Sequence, residues 1–255
     1  MDTDRRGWRQ GLTAFLLGAL LAAAAPLASA EPAPPAEIAE LRTQLAVGYL
    51  KEGNLRAALE SANVAVQTAP GYMSGHLIKG YIHQLLGQDA DAETSMKKAL
   101  AIEPASPEAN NNYGWFLCEN GRAEAALPYF KKALADPLYD SPQTAHANLG
   151  VCLSRLGQRG EANDALLAAL SQQPNFPLAL REMTRLQLMQ DNAKLAGFYF
   201  GRLTKVAPPA SADDLMLGLK VARLTGNRTL EGQMSSQLRS RFPDSKETQQ
   251  LLTGS

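Results

Sequence analysis

The chain has 255 residues, and its 25 Lys and Arg balance its 25 Asp and Glu, so its formal charge is zero. This balance argues against nucleic-acid binding, because proteins of that class carry a basic excess that neutralises phosphates. Aromatic residues make up only 6% of the chain and apolar residues 45%, which predicts closely packed helices with small aliphatic side chains between them.

The first thirty residues have the pattern of a cleavable secretory signal peptide. Three arginines precede an apolar run at residues 12–25, and Ala28 and Ala30 form a small-residue cleavage motif before Glu31. The run is shorter than the roughly 20 residues that span a bilayer, although an uncleaved anchor remains an alternative. The sequence therefore predicts export, with a short Pro-rich leader at residues 31–38.

Six prolines recur at a nearly constant interval along the rest of the chain. They are Pro70, Pro104, Pro137, Pro174, Pro208 and Pro243, separated by 34, 33, 37, 34 and 35 residues. A turn residue lies 16 or 17 positions before each of them: Gly53, Gly87, Gly121, Gly157, Asp191 and Gly226. This period predicts a repeated helix, turn, helix unit instead of one globular core.

Small residues recur where the two helices of each unit would cross. The first helices carry Ala46, Gly80, Gly114 and Gly150 at this point. The arrangement resembles the tetratricopeptide repeat, a helical hairpin of 34 residues. The resemblance implies an all-α, right-handed superhelical solenoid of about six hairpins over residues 39–245, followed by a tail at residues 246–255. The units begin near Ala39, Met73, Pro107, Gln143, Pro177 and Ala212.

Pro128 departs from this pattern, because it falls within the second helix of unit three. A proline in the first turn of a helix is tolerated, whereas one placed deeper would kink the helix.

No catalytic or cofactor motif is recognisable, so the chain is predicted to be neither an enzyme nor a cofactor or small-molecule binder. His76 and His83 are seven residues apart on one predicted helix, which makes a metal pair conceivable. However, they and His146 occupy positions where the repeat expects packing aromatics, and no Cys or carboxylate lies beside them at ligand spacing. We interpret all three as packing residues.

Cys118 and Cys152 lie on the first helices of units three and four. These helices stack side by side, and an exported chain meets an oxidising compartment, so the pair is predicted to form a disulfide. The alternative is two buried free thiols.

The first helices are expected to line the concave face of the solenoid. We predict a partner-binding groove formed by Leu50, Leu77, Tyr81, Asn111, Trp115, Val151, Arg181 and Arg185. Its lining would be apolar and aromatic in units one to three and basic in unit five, which suits an extended or helical peptide with apolar anchors. Alternatively, Tyr81 and Trp115 merely cover neighbouring helices.

A more specific signature lies in units three and four. It comprises NNNYGWFLCENGR at residues 110–122, KKALADPLY at residues 131–139 and ANLGVCLSRLG at residues 147–157. Together these blocks resemble the PilF/PilW family of type IV pilus biogenesis proteins, over nearly the whole chain after the signal. The resemblance implies a periplasmic protein at the inner face of the outer membrane that helps the pilus secretin assemble or reach that membrane, or supports pilus stability.

Members of this family commonly carry a lipid-modified cysteine directly after the signal, whereas here Glu31 follows Ala30. This difference favours a scaffold that is soluble or at most peripherally associated with the membrane. The predicted partner is the secretin or another pilus assembly component. The alternative function is a general envelope adaptor for peptidoglycan or polysaccharide machinery.

Overall fold

The structure, a computed structural model, describes residues 33–209 and 211–253 of the chain. The predicted signal peptide, with Ala28, Ala30 and Glu31 at its cleavage site, lies outside these residues. The described residues form helices and no strand. The helices are α1 (Pro35–Lys51), α2 (Leu55–Thr68), α3 (Met73–Leu85), α4 (Asp89–Ile102), α5 (Pro107–Glu119), α6 (Ala123–Leu134), α7 (Pro142–Arg155), α8 (Arg159–Gln172), α9 (Pro177–Met189), α10 (Ala193–Val206), α11 (Ala212–Thr225), α12 (Arg228–Arg241) and α13 (Lys246–Thr253).

The first twelve helices pair into six hairpins, each with a first and a second helix. The six turn residues predicted from the sequence all have positive φ, from 53° at Asp191 to 74° at Gly157. This left-handed conformation reverses the chain after a helix and favours glycine, which has no Cβ to clash with the backbone. Asp191 is the only residue other than glycine with positive φ in the described part of the chain. The predicted hairpin turns are therefore confirmed.

Local side chains explain where several of the helices begin. Asn54, Asn192 and Asn227 each precede the second helix of a unit. Each accepts a hydrogen bond from a backbone N–H in the first turn of that helix. Such capping satisfies an N–H group that has no partner inside the helix. Pro107 and Pro177 open α5 and α9, at a position where a missing N–H costs no hydrogen bond.

The two helices of a hairpin approach most closely at the predicted small residues. At Gly150, an added Cβ would lie 2.7 Å from Cγ of Leu166. Unit six has the same arrangement at Gly218, where an added Cβ would lie 2.8 Å from Sδ of Met234 in α12. The position of Gly218 implies that unit six begins one residue earlier than predicted, at Ser211 instead of Ala212. Ser211 also caps α11.

The hairpins stack in chain order, and each first helix packs against the first helix of the next unit. The buried side chains form successive clusters along the stack, the largest of which spans α7 to α11. These contacts make the chain an all-α, right-handed solenoid, as the sequence predicts.

Two local features differ from the sequence expectation, and the structure also decides how deep Pro128 lies in its helix. Helix α1 begins at Pro35, inside the predicted leader, and the predicted tail contains α13. Leu251 of α13 packs against a cluster that includes Leu215 and Leu238, so this helix covers the apolar end of unit six. Pro128 is the sixth residue of α6 and therefore lies beyond the first turn.

None of the helices in the described residues combines the length and the hydropathy that a membrane crossing needs.

Candidate functional site

The first helices of units three to six surround a cavity of about 630 Å³ on the inner face of the solenoid. Four of the predicted groove residues line it: Trp115, Val151, Arg181 and Arg185. The other lining residues are Glu119, Ser154, Arg155, Leu178, Glu182, Met189, Ser211, Asp213 and Asp214.

Trp115 forms one wall of this cavity together with Arg155. The guanidinium carbon of Arg155 lies 5.8 Å from the centroid of the Trp115 ring, within cation–π range. Arg155 also donates to the backbone oxygen of Cys118 at 2.9 Å and to Oε1 of Glu119 at 2.5 Å. These three contacts hold Arg155 across the face of a half-buried indole, so the wall is ordered before any partner binds.

Unit five contributes two arginines, and both are paired with carboxylates. Nε of Arg181 donates to Oδ1 of Asp214 at 2.6 Å, while Arg185 contacts Glu182 and Asp213. The cavity lining contains three arginines and four carboxylates, which gives a net charge of −1. The expectation of a basic lining in unit five is therefore wrong, because acidic residues of α11 lie against the arginines.

Glu182 is largely enclosed, with 13% of its side chain exposed. Burial raises the pKa of Glu182, although the nearby Arg185 guanidinium acts in the opposite direction. A charged carboxylate in such a place depends on its cationic partner. Arg185 therefore stabilises the charge of Glu182 within the protein, and the exposed part of its side chain can also contact a ligand.

Two predicted groove residues are not available to a partner. Leu77 is buried and packs in one cluster with Ala99 and Ala109. Asn111 is also buried, and its Oδ1 accepts a hydrogen bond of 3.1 Å from Nδ2 of Asn148. Both side chains are enclosed by the neighbouring unit, so their assignment to the binding surface is wrong; Asn111 instead links α5 to α7.

The inner face of units one and two is a separate apolar surface. Tyr81 is 43% exposed, and Val47 and Leu85 are also exposed. Leu50 is only half-buried and packs against a cluster that contains Ala46 and Ile82. Tyr81 and Leu50 do not line the cavity of units three to six. The predicted groove therefore consists of an apolar N-terminal part and a charged C-terminal part.

The structure joins Cys118 of α5 to Cys152 of α7, with a Cα–Cα distance of 5.8 Å. Both residues are buried, and Cys118 lies one helical turn after Trp115. The proposed bridge would therefore hold units three and four together directly beneath the aromatic wall of the cavity.

The three histidines all have packing or hydrogen-bonding surroundings. A ring nitrogen of His76 lies 2.9 Å from the backbone oxygen of Pro70, and one of His83 lies 2.6 Å from Oε1 of Gln88. His146 is half-buried, and burial lowers its pKa. Among the described residues, no three His, Cys, Asp or Glu side chains are placed to hold a metal ion together.

The repeat pattern does not single out Arg155 or the acidic residues of unit six, although they line the cavity. Arg155 follows the inward-facing Ser154 directly, so its position in the last turn of a first helix was the available signal. Asp213 and Asp214 lie in the first turn of α11. Their contact with unit five depends on how two successive hairpins are rotated, which the repeat pattern does not specify.

Comparisons with known proteins agree with this geometry. Tetratricopeptide-repeat family models match residues 75–106 and 96–127. The type IV pilus assembly protein PilF of Pseudomonas aeruginosa is 26% identical over 82% of this chain and 82% of its own length. The crystal structure of PilW, described as a widely conserved type IV pilus biogenesis factor, is 37% identical and covers 85% of this chain and 99% of its own, with a TM-score of 0.75. The structure of Pseudomonas aeruginosa PilF is 25% identical over 87% of this chain and 99% of its own, with a TM-score of 0.73.

The hairpins, their left-handed turns and the inner-face cavity define a tetratricopeptide-repeat protein, a class that binds other proteins. Within that class, the chain belongs to the PilF/PilW family of type IV pilus biogenesis proteins.

Proposed function

We propose that this protein is a non-enzymatic periplasmic scaffold that assists assembly or outer-membrane localisation of the type IV pilus secretin by binding a protein segment. The main support for this proposal is the cavity of units three to six, in a chain that belongs to a pilus biogenesis family. Its arginines and carboxylates are engaged with one another, an arrangement that suits recognition of a peptide better than bond-breaking chemistry.

The bound segment would place an apolar side chain against Trp115 and polar groups along the arginine and carboxylate pairs. Aromatic and arginine side chains in partly enclosed pockets contribute most of the binding energy in many interfaces. A second apolar anchor of the segment, or a neighbouring part of the same partner, would contact Tyr81 and Leu85 in units one and two. This division favours a partner that extends along the inner face over several units.

Export is part of this proposal. The apolar run at residues 12–25 and the motif of Ala28 and Ala30 support a cleaved signal. N-terminal sequencing of the protein purified from cell fractions should find Glu31 as the first residue in periplasmic material. An intact N-terminus in the inner-membrane fraction would overturn the periplasmic assignment.

Deleting the gene in the native cell tests the function as a whole. The expected result is loss or reduction of secretin multimers resistant to sodium dodecyl sulfate, together with fewer surface pili and weaker twitching motility. Complementation with the wild-type gene should restore all three. Normal secretin multimers, pili and motility in the deletion strain would contradict the proposal.

Replacing Trp115 with Ala tests the cavity as the binding site. The variant should weaken binding to the periplasmic part of the secretin by about 30-fold, which corresponds to about 2 kcal/mol for a central aromatic anchor. Titration with the purified secretin segment measures this change, and circular dichroism should show unchanged helicity.

Leu167→Ala is the control for this variant. Leu167 is 43% exposed and lies on α8, a second helix that does not line the cavity, so its loss should leave binding unchanged. Equal loss of affinity in both variants, or collapse of helicity in Trp115→Ala alone, would show that Trp115 supports the fold and not the partner.

A further inference from the structure

The charge of the folded chain is distributed unevenly between its two ends. Residues 34–140 carry nine basic and thirteen acidic side chains, a net charge of −4, whereas residues 177–253 carry eleven basic and seven acidic side chains, a net charge of +4. The chain is neutral overall because the charge of its acidic N-terminal half offsets that of its basic C-terminal end. Such a field would attract an anionic surface to one end of the molecule and repel it from the other.

Helix α10 carries basic and apolar side chains together on its exposed face. The basic residues are Lys194, Arg202 and Lys205, and the helix contains no acidic residue. Phe198 is 53% exposed, and Leu195 and Val206 are 37% and 40% exposed. At 100° per residue these six positions fall within about one third of the helix circumference. The exposed face of α10 is therefore both cationic and apolar.

The lysines of this face have no acidic partner in the described part of the chain, because no carboxylate lies within salt-bridge distance of Lys194 or Lys205.

We propose that this basic outer patch, formed by Lys194, Phe198 and Lys205 of α10, docks the protein on a bilayer surface that contains anionic phospholipids. Unpaired cationic side chains are attracted to phosphate headgroups, and an aromatic ring beside them inserts at the boundary between headgroups and acyl chains. An acidic protein would satisfy the charges but would leave the exposed Phe198, Leu195 and Val206 without an apolar environment. The lipid surface satisfies both components.

Docking through this patch would orient the solenoid. The patch lies on a second helix, α10, whereas the cavity is lined by first helices and residues at their ends, so lipid and a protein partner can be bound at the same time. The acidic units one to three would be directed away from the anionic surface. The proposal rests on charge and exposure alone, so it stands or falls separately from the role in pilus assembly.

Co-sedimentation with vesicles tests the proposal, using the chain from residue 31 to residue 255. The protein should sediment with vesicles of phosphatidylcholine and phosphatidylglycerol but not with vesicles of phosphatidylcholine alone. Higher salt should weaken binding, because it screens the headgroup charges. Lys194→Gln with Lys205→Gln should lower the partition coefficient by about 30-fold, or about fivefold for each lost charge. Phe198→Ala should lower it by about tenfold through loss of apolar burial.

The matched control is Lys131→Gln with Lys132→Gln, which removes the same charge from two exposed lysines of α6 on a second helix of unit three. This variant should bind vesicles as the wild type does. Equal binding to the two kinds of vesicle, or equal loss in the two double variants, would overturn the proposal. It would also be overturned if the Lys194 and Lys205 variant kept its vesicle binding while sedimentation equilibrium showed the loss of a wild-type dimer, since the patch would then be a contact between copies.

Discussion

The lack of a side chain at Gly150 allows the two helices of unit four to pack closely. At Gly150 an added Cβ would lie 2.7 Å from Cγ of Leu166 and 3.2 Å from the backbone oxygen of Ala162. Leu166 is fully buried, and the backbone of α8 cannot move without disturbing its contacts with unit five. A larger residue therefore forces strain into a close-packed crossing.

Replacing Gly150 with Ala is expected to lower the free energy of unfolding by about 1–3 kcal/mol, because the new methyl group overpacks this crossing. Urea denaturation followed by circular dichroism measures the change. Gly160→Ala is the control: Gly160 also lies in a helix, but an added Cβ there meets nothing within 4 Å. That variant should be neutral or more stable by up to about 1 kcal/mol. Equal effects of the two substitutions would exclude the crossing as the cause.

At the scale of the helices, a small polar network joins units two and three. Glu93 of α4 accepts hydrogen bonds from Nη1 and Nη2 of Arg122 at 3.1 and 3.0 Å, and from the hydroxyl of Tyr113 at 3.0 Å. Lys97 lies 2.9 Å from the same carboxylate. The Arg122 hydrogen bonds, followed by that of Lys97, lower the pKa of Glu93 from 4.5 to about 2.

This lowered pKa predicts a contribution to stability that depends on pH. Because the folded form binds the Glu93 proton less tightly than the unfolded form, the contribution is present above pH 4.5 and is lost as the pH falls towards about 2. Glu93→Gln should therefore destabilise the protein at neutral pH and lose less stability than the wild type on acidification. Urea midpoints measured across that range test this expectation.

Glu124→Gln provides the control, since Glu124 is exposed in the first turn of α6 and belongs to no salt bridge among the described residues. It should follow the wild-type pH profile. A Glu93→Gln profile parallel to that of the wild type would contradict the assigned role of the network.

At the scale of the whole molecule, the stability of a stacked array depends on the interfaces between its units. Units three and four share the Asn148 to Asn111 hydrogen bond, the contacts of Arg155 and the proposed bridge between Cys118 and Cys152. All of these contacts lie next to Trp115 or on its helix. The middle of the solenoid is therefore expected to be the part that holds the cavity in shape.

Protein purified from the periplasm should have no thiol that reacts with an alkylating reagent after denaturation, unless it is first reduced. Reduction should lower the free energy of unfolding by about 3–4 kcal/mol, because the bridge closes a loop with a sequence separation of 34 residues. Mass spectrometry after alkylation and urea denaturation with and without reductant measure the two effects.

The double variant Cys118→Ser with Cys152→Ser is the control for the reductant itself, and its stability should not respond to reduction. Alkylation of both cysteines in unreduced wild-type protein would contradict the bridge and favour the free thiols.

Residues whose roles are local could be predicted from the sequence. Gly53, Gly121 and Asp191 mark turns because a left-handed backbone directly after a helix is required wherever a hairpin reverses. The crossing glycines follow from the same repeat, since their spacing from the turn is constant. The repeat pattern predicts that Trp115 and Val151 face inwards, and both line the cavity.

The sequence by itself therefore determined the hairpins, their number and the side of each helix that faces inwards, because these depend on helical periodicity and turn conformation within one unit. The tertiary structure alone decided which inward residues remain open and what charge they present. Asn111 is closed off by Asn148, and Arg181 is neutralised by Asp214, 33 residues further along the chain. These outcomes depend on the rotation and distance between successive hairpins, which arise from packing across units and leave no periodic signal in the sequence.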